Sequence, residues 1–207
     1  MSYIKLENVS KSIKGTSVLK NVNMLVGRGE VIGLTGINGS GKSMLLRAIA
    51  GLIHVDGLIE IEGEPMKKGQ IPDDMGVLIE TPEFISEFTG RQNLQLLGML
   101  QDGVTDNDVD DALEAVGLNP KDKRKYRKYS LGMRERLAIA QAVLKEPKLI
   151  LLDEPTNGID GDGIGILKKL LTRLKENGST IIIASHDKDF LQEVQTASYE
   201  MREGEIV

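Results

Sequence analysis

The sequence predicts an α/β domain built on a mainly parallel sheet, with an antiparallel β region at the N-terminus and an inserted helical lobe. Three observations carry this. Short runs rich in Val, Ile and Leu recur between stretches whose apolar residues have helical spacing, the alternation that buries parallel strands between helices. Glycine, 23 of 207 residues, exceeds the usual ~7% and gathers in turns and in one loop between a strand and a helix. Apolar residues are 40% and charged residues 28%, the balance of a chain with a real core. With aromatics at 3%, that core must be aliphatic.

Each element follows in order. Ile4 to Val9 reads as a strand, Lys14-Gly15-Thr16 as a turn and Val18 to Val26 as a second strand. Gly27-Arg28-Gly29-Glu30 is a tight turn, and Val31 to Thr35 a continuous apolar strand of the buried kind. After a Gly-rich loop, Lys42 to Ala50 is helix-like. Leu58 to Glu62 reads as an edge strand and Met75 to Ile79 as a further buried strand. From about Thr89 to Lys145 helical spacing takes over. Leu94, Leu97 and Leu100 make one helix face; Val109, Leu113 and Val116 make another, stopped by Gly117. Leu149 to Asp153 is a buried strand, Ile164 to Glu176 an amphipathic helix, Thr180 to Ser185 a buried strand and Asp187 to Val194 a short helix. Ser198 to Met201 and Glu205 to Val207 form a closing hairpin around Glu203-Gly204. Residues 1–207 thus read as a single domain. Residues 1–88 and 146–207 form the core, and about 89–145 the lobe.

Composition removes several classes. No cysteine means no disulfide and no thiolate metal site, and fits a reducing cytosol. His54 and His186 are too few for a His-rich centre, and His54 reads as ordinary surface. Twenty-six Lys and Arg against 31 Asp and Glu give a charge of −5, and few rings are available to stack bases, so nucleic acid is not an expected partner. No apolar run reaches the ~18 residues of a membrane span, and MSYIKLENVSK lacks the apolar stretch of a signal peptide, so a cytoplasmic chain is expected.

The Gly-rich loop carries the chemistry. Gly36-Ile37-Asn38-Gly39-Ser40-Gly41-Lys42-Ser43 fits G-x-x-x-x-G-K-[ST] between a strand and a helix, the context of a P-loop NTPase. Glycines let successive N–H groups turn toward anionic oxygens, and the helix start adds positive potential. In this pattern Lys42 reaches the β- and γ-phosphates of ATP, and Ser43 offers a hydroxyl to Mg²⁺; Met44 completes the nucleotide-binding run. Four apolar residues then run into Asp153 and Glu154. At the carboxyl end of a parallel strand these face the phosphates: Asp153 suits Mg²⁺, and Glu154 can polarise an attacking water. The next strand ends at His186, placed to hydrogen-bond a γ-phosphate or the water, or alternatively to cap the following helix.

Tyr129-Ser130-Leu131-Gly132-Met133-Arg134-Glu135-Arg136 narrows the choice. It resembles the L-S-G-G-Q signature of ATP-binding cassette (ABC) ATPases. Val18-Leu19-Lys20-Asn21-Val22 looks like that family's N-terminal strand segment, Pro155-Thr156-Asn157-Gly158-Ile159-Asp160 like its D-loop and Ser185-His186 like its H-loop. The resemblance covers nearly the whole chain. It implies a head-to-tail dimer that sandwiches ATP between one subunit's phosphate loop and the other's signature, with Ser130, Leu131, Gly132 and Met133 acting across the interface and Asn157, Gly158 and Asp160 in the D-loop. It also implies an ATP-hydrolysing subunit (a homodimer, or one paired with a second ATP-binding subunit) that drives a separately encoded membrane permease from the inner face of the membrane.

Three departures matter. Leu131 and Met133 replace Gly and Gln, a form similar to bacitracin- and lantibiotic-resistance transporter subunits, which implies export of a peptide antibiotic or other hydrophobic compound. Glu80 stands where the family has the glutamine of its Q-loop, and as a carboxylate can ligate Mg²⁺. Ile13 stands where the family stacks an aromatic ring on adenine, so base selectivity should be weak. The segment Thr81 to Leu94, with Phe84, Ile85 and Phe88, is expected to face the permease or else to pack in the lobe. A cytochrome-biogenesis type exporter of similar length is the rival reading within the transporter class. A cassette protein acting on ribosomes or DNA fits the length and acidity poorly, and a nucleotide-gated module without turnover fits Lys42, Asp153, Glu154 and His186 poorly.

Overall fold

A computed structural model describes residues 2–80 and 82–207. Long strands β1 (Ser2–Ile13) and β2 (Thr16–Gly27) pair antiparallel. The hairpin turns on Lys14 and Gly15, both at positive φ (48° and 83°), the backbone twist a two-residue turn needs. β4 (Asp56–Ile61) joins the other side of β1, and β5 (Glu64–Pro65) closes a four-stranded sheet ordered β2-β1-β4-β5. The strand expected at an edge is therefore interior. The true edge is a two-residue strand whose proline lacks an N–H, which only an edge tolerates.

The second sheet has six strands in the order β10-β9-β3-β8-β7-β6. Its strands are β3 (Val31–Thr35), β6 (Met75–Leu78), β7 (Leu149–Asp153), β8 (Thr180–Ala184), β9 (Ala197–Arg202) and β10 (Glu205–Ile206). All neighbours pair parallel except β9 with β10. Expected as buried, β6 is in fact an edge strand with alternating burial, pairing only β7.

Alternation within the sheet makes it a partition between two cores. Ile150, Leu152, Ile181 and Ile183 face one side, with Leu167, Leu170, Leu171 and Leu174 of α5 (Gly161–Glu176) and Phe190 and Leu191 of α6 (Lys188–Val194). Leu149, Leu151, Ile182, Ile32 and Leu34 face the other, against α1 (Lys42–Ile49) and the four-stranded sheet.

Between β6 and β7 come α2 (Gly90–Gly98), α3 (Asp106–Ala115), a 3₁₀ turn at Tyr126–Lys128 and α4 (Leu131–Ala142). Thr89 and Thr105 start α2 and α3 with reciprocal capping boxes. After α3 the Gly117 N–H bonds to the Glu114 carbonyl and the Leu118 N–H to the Leu113 carbonyl, so Gly117, at φ 73°, ends it as expected. The α2 face stops short: Leu94 is buried, Leu97 half-buried, but Leu100 is 82% exposed beyond the helix end. Leu94, Leu113 and Leu137 join the same core as Ile150 and Ile183, so these helices share the sheet's apolar face.

Candidate functional site

Parallel pairing brings four strand ends together. Beyond β3, Gly36 opens the phosphate loop at φ 141°, where a side chain would strike the Met201 carbonyl of β9; Gly39 turns it at φ 80°. Gly41, at φ 108°, then caps α1, whose first turn carries no acidic residue. Lys42 is only 5% exposed, and its ammonium donates to the Gly36 carbonyl at 2.8 Å and the Ile37 carbonyl at 3.2 Å. A buried cation is thus satisfied by the loop it serves. Ser40 is buried beneath the loop, while Ile37 is 75% exposed.

Beyond β7, Asp153 is half-buried. Burial pushes its carboxyl upward, and the nearby Ser43 hydroxyl pulls the other way, as do the more distant Lys42 and Arg47. Glu154 follows in the left-handed region, at φ 49°. Its N–H bonds to the Ala184 carbonyl of β8 at 2.7 Å, which locks that backbone in place. Three groups then meet its Oε2: the Ser185 hydroxyl at 3.1 Å, the His186 N–H at 3.3 Å and the His186 Nδ1 at 2.8 Å. His186 does not cap the next helix. Asp187 does, accepting from the Phe190 N–H at 2.9 Å. His54 is exposed, as expected.

These parts surround a cleft of about 560 Å³ lined by Asn38, Gly39, Gly41, Lys42, Ser43, Met44, Glu80, Asp153, Glu154 and Asn157 from among the expected residues. Its walls also carry Val18, Leu78, Ile79 and Glu135, which sequence reasoning missed. Two of these had a signal. Val18 precedes buried Leu19 in a strand, so it faces the other way. Glu135 lies four residues after Leu131, one turn along the same helix face. Burial pushes the Glu135 carboxyl above its ordinary range. Ile13 lies outside the cleft lining, 40% exposed at the tip of the β1–β2 hairpin.

Ser130 is the N-cap of α4, its hydroxyl accepting from the Met133 N–H at 3.2 Å. Leu131, 63% exposed, stands over Gly158, and Gly132 packs against the Gly158 carbonyl. Asp160 caps α5 by accepting from the Gly163 N–H, and also pairs with Arg136 at 2.6 Å; these bonds hold its carboxyl below the usual range. The signature helix and the D-loop segment are therefore linked within one chain. Phe84 packs edge-on to Tyr126, with ring centroids 5.2 Å apart, and joins the lobe core, whereas Ile85 is 42% exposed. The buried Asn93 side chain pins this segment, accepting from the Ile85 N–H at 2.7 Å and donating to the Ile85 and Thr89 carbonyls. Thr81, the first residue of the expected partner-facing segment, lies outside the described residues. No helix among the described residues is long and apolar enough to cross a membrane.

Known proteins share this arrangement. The sequence pattern of the ABC transporter family matches residues 19–157. An uncharacterized ABC transporter ATP-binding protein of Bacillus subtilis, YybJ, is 40% identical over 98% of this chain and 94% of its own length. The bacitracin transport ATP-binding protein BcrA of Enterococcus faecalis is 38% identical over 99% of this chain and 68% of its own. A dimeric ATP-binding cassette solved in a post-hydrolysis state with ADP and phosphate superposes with a TM-score of 0.87 at 26% identity, over 98% of this chain and 96% of that one. A phosphate loop, strand-end carboxylates and a signature helix in this order, on this fold and with these relatives, identify the chain as a member of the ABC transporter family, an ATP-binding and ATP-hydrolysing subunit.

Proposed function

We propose that the chain hydrolyses ATP in this cleft with Glu154 as general base, and that hydrolysis drives a separate membrane permease. The observation that carries the reading is the Glu154 carboxylate. One oxygen is held by Ser185 and His186, and the residue sits in a backbone region that non-glycine residues enter at a cost, as active-site residues often do. The other oxygen is left to take a proton from water. That water attacks the γ-phosphorus, the bond from the γ-phosphorus to its bridging oxygen breaks, and ADP and phosphate leave. Lys42 turns from the loop carbonyls to the β- and γ-phosphates, and the loop N–H groups and the α1 start bind their oxygens. His186 orients Glu154 and reaches the γ-phosphate.

Ser43 and Asp153 fit Mg²⁺. They are hard oxygen donors that line one cleft together with Glu80. Ser43, Asp153 and Glu80 would hold Mg²⁺, which would neutralise charge on the phosphates. Val18 rather than Ile13 covers the base in this reading, so ATP is weakly preferred over GTP.

In the dimer, Ser130, Leu131, Gly132 and Met133 meet the partner subunit's nucleotide, with Asn157, Gly158 and Asp160 beside them. The permease docks on the segment from Pro82 to Leu94 and holds the chain at the cytoplasmic face of the membrane. Similarity to a bacitracin transport subunit supports a peptide antibiotic or other hydrophobic compound as cargo.

Glu154→Gln tests the core of this. It should retain ATP binding, lose about 10²–10⁴ in hydrolysis rate and accumulate an ATP-bound dimer visible by gel filtration. Turnover at the wild-type rate would exclude Glu154 as the base.

A further inference from the structure

Glu80 is not free in the cleft. Its Oε1 lies 2.6 Å from Arg47 Nη2, a contact between residues 33 apart in sequence. Arg47 belongs to the last turn of α1, four residues after Ser43 and so on the same helix face. Its Nη1 also touches the Met44 sulfur at 3.4 Å. The two partners are unequal. The arginine side chain is 30% exposed and the glutamate side chain 76% exposed. Arg47 is therefore the more enclosed partner, on the helix, and Glu80, just past the end of β6, the more open one.

Charge gives the pair a purpose. Glu80, Glu135, Asp153 and Glu154 line the cleft, and Lys42 is the basic residue among the lining side chains. A loose carboxylate there meets like charges at once, and nucleotide phosphates add more. Arg47 neutralises Glu80 from outside the lining. A solvent-exposed ion pair is worth little, so a divalent cation with stronger claims on the carboxylate can exchange it.

We propose that Arg47 is a positioning residue that holds Glu80 against α1 until magnesium nucleotide claims it, and so sets how much Mg²⁺ nucleotide binding requires. The proposal rests on the nucleotide-cleft reading above. Two opposed effects follow from removing Arg47. Without Mg²⁺, an unneutralised Glu80 repels phosphate and ADP binds more weakly. With Mg²⁺, a released Glu80 is available to the cation, so less Mg²⁺ is needed.

The test is ADP affinity, measured by titration in EDTA and across a Mg²⁺ series, for the wild type, Arg47→Gln, Glu80→Gln and the double variant. Arg47→Gln should weaken ADP binding in EDTA and lower the Mg²⁺ midpoint, each by about two- to fivefold, the range of an exposed pair. In the Glu80→Gln background the same change should do much less, since only the direct pull of Arg47 on Asp153 remains. An equal effect in both backgrounds, or none in the wild-type background, overturns the proposal. If Arg47→Gln does not fold, Arg47→Lys decides in the same cycle, since it keeps the charge and loses the planar fork; it should shift both quantities in the same directions by less. Failure of the cleft reading looks different: wild-type ADP binding would then be absent or indifferent to Lys42→Ala.

Discussion

The Ser130 hydroxyl has one hydrogen to donate and lone pairs to accept with. In the free chain it accepts from the Met133 N–H and caps α4. Its hydrogen remains for the γ-phosphate that the proposed dimer would bring, so the observed and the proposed roles are compatible at one atom. They are also separable. Ser130→Ala removes the cap and should lower stability by about 1 kcal/mol, read as a shift in urea midpoint. Ser130→Asp keeps a good cap and places a negative charge where the proposal puts phosphate. It should melt like the wild type and fail to hydrolyse ATP. Normal hydrolysis by Ser130→Asp would mean that Ser130 never meets the nucleotide. The phosphate loop, Asp153, Glu154 and His186 were legible because each is local in sequence, a motif or the end of an apolar run. Val18 and Glu135 carry only a weak signal, strand alternation and helical spacing, and Arg47 carries none, because its pairing with Glu80 forms only in the folded chain.

At the scale of elements, strands bounded by clear turns are legible as strands but not in extent or neighbours: Ile4 to Val9 lies within a 12-residue β1, and Leu58 to Glu62 falls inside its sheet rather than at an edge. Errors arose where a boundary depends on a distant contact. α2 ends at Gly98, where a side chain would press on Val104 at 2.7 Å, so the spacing that suggested Leu100 outlasts the helix. β6 looks like any buried apolar run, yet nothing in Met75 to Ile79 reveals that only one neighbour pairs with it. Its defining feature is Gly76. A methyl there would overlap the Ala142 carbonyl at the end of α4 and press on Pro147 at 2.8 Å. This strand and the signature helix approach most closely where that side chain is missing. Gly76→Ala must separate them or bend the strand, and overpacking of this kind costs about 1–3 kcal/mol or more. We expect a loss near the upper end, together with slower hydrolysis, because Glu80 follows β6 and Ser130 starts α4. A loss below about 0.5 kcal/mol in urea unfolding would show that the contact yields easily.

At the scale of the molecule, the six-stranded sheet divides two cores and carries the cleft at the carboxyl ends of its strands. Leu137 and Ile139 of α4 share a core with Ile150, Leu152 and Ile183, so melting the lobe uncovers part of the sheet face it shares with α5 and α6. We therefore expect residues 1–207 to unfold as one unit rather than lobe first. Nucleotide offers the check, since in the proposed site it touches the loop after β3 and the end of β7 and leaves most of the lobe alone. Binding to the folded state alone stabilises by about 2.7 kcal/mol at a ligand concentration 100 times Kd. For a chain of this size each kcal/mol raises Tm by about 2–4 °C, so ADP at that concentration should raise it by roughly 5–11 °C. ADP is the right ligand because ATP also drives dimerisation. Calorimetry should show one transition that moves as a whole, with Lys42→Ala moving much less at the same ADP concentration. A second, lower transition indifferent to ADP would mean that residues 89–145 open independently, and the shared core would not couple the signature helix to the nucleotide cleft of its own chain.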